Sequence, residues 1–111
     1  MIFRVNNITW TVIFVSPLYK ALIDRTGQRT LATTSPVDRC IYIDEGLKGK
    51  MPTRVLKHEL GHVMMISYGL IFDLRKLVNG GDLIGIEEFV CNFNADYGEE
   101  IESLTREILS P

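Results

Sequence analysis

Along residues 8–15 (ITWTVIFV) the chain alternates. Ile8, Trp10, Val12 and Phe14 fall on one face and Thr9 and Thr11 on the other, the period of a strand, and Ser16-Pro17 ends it. Two further arms, Lys20 to Asp24 and Arg29 to Thr33, flank Arg25-Thr26-Gly27-Gln28. They predict a hairpin whose turn uses Gly27 for positive φ. Arg39 to Asp44 (RCIYID) is another strand, with Cys40, Tyr42 and Asp44 opposed to Ile41 and Ile43. β segments ahead of any helix imply a small, mostly antiparallel N-terminal sheet.

The pattern then changes period. Leu56, Leu60 and Val63 form an apolar stripe on a helix from about Arg54 to Ser67, with Thr53 as its expected N-cap after Pro52 and Gly69 as its stop. Leu70 to Val78 reads as a shorter helix or a loop. Asn79-Gly80-Gly81-Asp82 is the clearest break, and Asp82 is placed to cap a long last helix, about Leu83 to Leu109. Strands followed by helices predict an α+β fold rather than an alternating α/β one.

Composition narrows the picture. At 111 residues, with 46% apolar and 23% charged side chains, the chain is expected to form one domain over residues 1–111 with its own core. A net charge of −2 offers no basic field, so nucleic acid is not an expected partner. The apolar run at 8–15 is too short to span a membrane and does not resemble an export leader, so a cytoplasmic protein is expected. Cys40 and Cys91 lack CxxC spacing, fall in different elements and read as reduced thiols. The acidic stretch with Glu99, Glu100, Glu102 and Glu107 reads as a solvated helix face.

Candidate chemistry concentrates in His58-Glu59-Leu60-Gly61-His62, which holds both histidines of the chain. Residues i and i+4 share a helix face, one turn apart, so both imidazoles can reach one metal ion. Glu59, about 100° round the helix, lies where it can act on a metal-bound water, which is the logic of the HExxH motif.

Catalytic zinc usually takes three protein ligands and keeps one position open. The long HExxHxxGxxH motif is excluded, because Met65 stands at its glycine and no histidine follows. The candidates for a third ligand are the carboxylates Glu87 and Glu88, early in the last helix. Glu88 is preferred: it shares a face with Ile84, Cys91, Asn92 and Ala95. There the small Cys91 and Ala95 would admit a close helix approach, and Asn92 could hydrogen-bond a liganding histidine. Glu87 lies nearer the stripe Ile86, Val90, Phe93 and Tyr97. Tyr68 and Tyr97 are candidate oxyanion donors, though a packing role is the simpler reading for each. The strand from Ile41 to Asp44, if it were an edge, could accept an extended peptide.

A strand at Cys40 to Ile43, a helix with HELGH, and then Glu87-Glu88-Phe89-Val90-Cys91-Asn92-Phe93 together resemble the ImmA/IrrE-like zinc metallopeptidases of phages and mobile elements. The likeness covers roughly residues 39–97. In that family HExxH is followed by an ExxA(N/D) helix that supplies a glutamate ligand, as in gluzincins. Here Glu88 to Asn92 reads ExxCN, and the FAxxLLMP continuation is absent, Phe93 being followed by Asn94-Ala95-Asp96-Tyr97. The resemblance implies a minimal zincin-like fold with Zn²⁺ on His58, His62 and Glu88. It implies Glu59 as the catalytic base of peptide hydrolysis and a peptide or protein substrate, a transcriptional regulator among the candidates. The alternative is a catalytically inactive zincin-fold protein that binds a regulator.

Overall fold

The computed structural model describes residues 1–110, which form a small mixed sheet followed by three helices, an α+β fold. The strands are β1 (Ile2–Val5), β2 (Ile8–Val15), β3 (Ala32–Ser35) and β4 (Cys40–Asp44), in the spatial order β1-β2-β4-β3. β1 with β2 and β3 with β4 are antiparallel, whereas β2 and β4 run parallel in register Val12↔Ile41. The sheet is thus mostly antiparallel, with one parallel pair at its centre.

β1 was not anticipated from the sequence. Its Phe3 and Val5 are buried and alternate with exposed Ile2 and Arg4. The connection to β2 is the two-residue turn Asn6-Asn7, both at positive φ (49° and 64°), which is the backbone of a type I′ hairpin. Asparagine tolerates that conformation because its short amide side chain can hydrogen-bond locally, so this dipeptide was the legible signal.

The hairpin expected over residues 20–33 forms only in part. Gly27 takes φ 82° as anticipated, and the Asp24 amide donates to the Gln28 carbonyl at 2.8 Å. Beyond one bridge between Ile23 and Arg29 the arms do not pair. Lys20–Leu22 instead coils into a 3-10 turn that drives Leu22 into full burial, and the second arm moves on to join β4 as β3.

The helices are α1 (Met51–Ser67), α2 (Leu70–Asn79) and α3 (Leu83–Leu109). α1 begins earlier than expected: Pro52 lies in its first turn and Thr53 is not its cap. Proline suits that position, since its missing N–H would have no helical partner and its φ is already helical. Gly69 stops the helix with φ 69°, and the Asp82 carboxylate caps α3 by accepting from the Gly85 amide at 2.8 Å, both as the sequence implied.

One face of the sheet packs on α1. Phe3, Val5, Trp10, Val12, Ile41 and Ile43 meet Val55, Leu56, Leu60, Val63 and Met64 in a single cluster. Phe14, expected on that face, is largely exposed at the end of its strand. Two polar bonds fix the C-terminal end of α1 to the sheet. The Trp10 indole N–H donates to the Ser67 hydroxyl at 3.0 Å, and the Asn6 amide donates to the Ser67 carbonyl at 2.9 Å.

α3 closes the molecule by packing Phe93, Tyr97, Ile101, Leu104 and Ile108 on the core, a stripe at helical spacing. Lys57 pairs with Glu102 at 2.6 Å, and the Tyr68 hydroxyl donates to Glu100 at 2.7 Å, so two of the acidic residues read as a solvated face tie α3 to α1. Cys40 and Cys91 are both free thiols, Cys40 buried and Cys91 exposed. No helix among the described residues is long and apolar enough to cross a membrane.

Candidate metal centre

His58, Glu59 and His62 occupy consecutive turns of α1 at the rim where the helix passes under β3. Their ligand atoms lie within 4.8 Å of one another, a His-Glu-His group that could hold a metal ion. The imidazole centroids are 5.0 Å apart with an interplanar angle of 75°. His58 is exposed and His62 half-buried, while Glu59 is only 5% accessible.

Glu59 is the unusual member. One oxygen, Oε1, accepts from the Thr34 hydroxyl at 3.2 Å, and the other, Oε2, lies 4.0 Å from His58 Nε2. A carboxyl group this enclosed is costly to bury without a positive partner. Its polar neighbours here are one hydroxyl and two imidazoles, and the carboxylate and the imidazoles together form the group that could hold a metal ion. Burial lowers the His62 pKa, the Glu59 carboxylate opposes that shift, and the neighbouring His58 and the Arg25 guanidinium add to it. The net effect favours the neutral imidazole, which is the form that binds metal.

A groove of about 760 Å³ opens onto these three side chains. Its walls are α1, β3 and the irregular segment around residues 19–26. That volume lies in the range of small-ligand and peptide sites. β3 is an edge of the sheet, with no strand on its far side among the described residues, whereas β4, the edge considered from sequence, is interior.

The structure does not bring Glu87 or Glu88 to the histidines. α1 and α3 run antiparallel, with the Tyr68 and Tyr97 rings meeting at 4.8 Å near the end of α1. His62 precedes Tyr68 by six residues and Glu88 precedes Tyr97 by nine. At about 1.5 Å per residue these stretches lead away from the ring pair by ~9 Å and ~13 Å in opposite directions. The first turns of α3 lie instead on α2, where Asn92 lines a small groove with Leu70, Asp73 and Phe89. The face carrying Ile84, Glu88, Cys91, Asn92 and Ala95 is exposed. Cys91 is exposed there, and the small residues admit no close helix approach. Tyr68 and Tyr97 are packing aromatics, stacked beside Phe93 and outside the groove.

Two residues of the site were missed by sequence reasoning. Thr34 had no motif to mark it, because its role depends on β3 lying over α1. Arg25 was read only as part of a turn, yet it lines the groove with the histidines. Comparisons with protein-family models, curated proteins and solved structures returned no match.

Proposed function

We propose that this chain is a zinc-dependent metallopeptidase of the ImmA/IrrE-like kind, hydrolysing an extended segment of a peptide or protein. The observation that carries the reading is the buried Glu59 carboxylate set between His58 and His62 beneath a free strand edge. His58 and His62 are the residues that would hold zinc. When bound, zinc polarises a carbonyl and acidifies water.

The protein groups divide the remaining work. The Thr34 hydroxyl holds Glu59 Oε1, which fixes the carboxylate plane and leaves Oε2 turned toward the histidines. Glu59 Oε2 takes the proton from the attacking water and passes it to the leaving amine. The substrate backbone adds to the free edge of β3, so that the peptide runs across the mouth of the site. The reading keeps His58, His62 and Glu59 in their expected roles and leaves Glu88 out of the ligand set.

A second reading draws on that same displacement of Glu88. Without a third ligand from α3, the fold would serve as a catalytically inert module that binds a regulatory protein along β3. A chelation experiment separates the two. Purified protein supplied with zinc is expected to cleave an unstructured protein substrate, to lose that activity with a chelator and to regain it when zinc is restored. Cleavage indifferent to chelation contradicts the metal mechanism, and absence of cleavage by zinc-loaded protein favours the inert module.

A further inference from the structure

We infer that the groove selects a carboxylate on its ligand and that Arg25 is the residue that binds it. The inference deepens the peptidase reading and rests on it for the identity of the ligand as a peptide. Its basis is which of the charged groups around the groove already have partners. Three lining residues are acidic (Asp24, Asp38 and Glu59) and two basic residues, Lys20 and Arg25, stand on the wall opposite α1.

The acids are already engaged. Asp24 Oδ1 accepts from the Thr26 amide at 2.8 Å, from the Gln28 amide at 3.1 Å and from the Thr26 hydroxyl. Asp38 Oδ2 accepts from the Tyr42 hydroxyl. Tyr42 keeps that proton throughout the neutral range, since burial first, and then the charges of Cys40 and Asp38, push its pKa up to about 12. Glu59 belongs to the histidine group. Among the described residues, neither Lys20 nor Arg25 enters an ion pair or a side-chain hydrogen bond. The acids keep their negative charge, but their oxygens are occupied, so the charged side chains of the groove left without a partner are the cations Lys20 and Arg25.

The backbone that carries Arg25 is also held in place. The three bonds to Asp24 Oδ1, with Gly27 at φ 82° and its amide donating to the Asp24 carbonyl at 3.0 Å, close a tight turn round residue 25. Such side-chain-to-backbone bonding fixes the loop locally, without help from a strand partner. A guanidinium on a fixed turn can pair two of its N–H donors with one carboxylate, which a lysine cannot do with the same geometry. The carboxylate can be an Asp or Glu side chain beside the bond to be cut, or the free C-terminus of the ligand.

The test uses the full chain and fluorescently labelled peptides of one length. One carries an internal glutamate and an amidated end, one a neutral sequence with a free C-terminus, and one a neutral sequence with an amidated end. Binding is read by anisotropy with and without zinc, the zinc-free arm removing any direct carboxylate–metal contact, and cleavage is followed in parallel. At least one carboxylate peptide should bind the zinc-free chain roughly five- to tenfold more tightly than the neutral amide. Which one does so identifies the source. Arg25→Glu should erase that ratio, with circular dichroism and zinc content reporting that the variant is folded. Asp24→Ala should reduce the ratio and Asp24→Asn, which keeps the acceptor oxygen, should largely retain it. Equal binding of all three peptides, no binding at all, or a ratio unchanged in Arg25→Glu overturns the inference. A carboxylate preference without cleavage leaves it standing and removes the peptidase reading; cleavage without preference does the reverse.

Discussion

Glu59→Gln is expected to keep the zinc content of the wild type and to lose about two to four orders of magnitude in kcat. Glutamine matches glutamate in shape, and its carbonyl oxygen can still accept the Thr34 hydroxyl bond that Oε1 accepts at 3.2 Å. The packing of a 5% accessible side chain is thereby preserved. What disappears is the second oxygen's ability to take a proton. Steady-state kinetics combined with elemental analysis checks both halves of the expectation. A variant that loses its zinc instead would make Glu59 a ligand rather than a base, an arrangement the 4.8 Å grouping also permits geometrically.

The second large effect concerns stability. Trp10→Ala should destabilise the fold by about 3–5 kcal/mol, measured by denaturant unfolding. The Trp10 side chain is 1% accessible and fills the space between β2 and α1. Its removal opens a large cavity and also strips the Ser67 hydroxyl of its indole donor. Since domains of this size retain only ~5–15 kcal/mol in total, the change consumes a large share of the margin. Ser67→Ala should cost less, about 1–3 kcal/mol, by leaving a buried indole N–H unpaired. Both substitutions loosen the C-terminal end of the helix that carries the histidines.

The parts of this molecule that were legible from sequence are those fixed by local periodicity. The alternation of Trp10 and Val12, the opposed Ile41 and Ile43, and the stripe Leu56, Leu60 and Val63 all face the core as read. The Asp82 cap and the Gly69 stop are likewise local devices and formed as expected. The HELGH pair was legible for the same reason, since one helix brings its own i and i+4 residues together whatever surrounds it.

What was not legible depends on how elements meet. The choice of Glu88 took the face of α3 with small residues as the packing face. The helix in fact packs Phe93, Tyr97 and Ile101, partly buried, against the core, because large apolar side chains gain more from leaving water than small ones gain from close approach. A stripe visible in the sequence thus pointed the other way. The order β1-β2-β4-β3 could not be read from strand patterns alone, and it decides that β3, not β4, offers a free edge. Thr34 and Arg25 acquire their roles only through that topology.

The most direct test of the central claim is the metal content of the full chain purified from zinc-replete cells, beside His58→Ala and His62→Ala. About one zinc per wild-type chain and little or none in either variant is the expected result, because each substitution removes one of the few donors in the group. A wild-type chain that binds no metal, or variants that bind as much as the wild type, would contradict the claim.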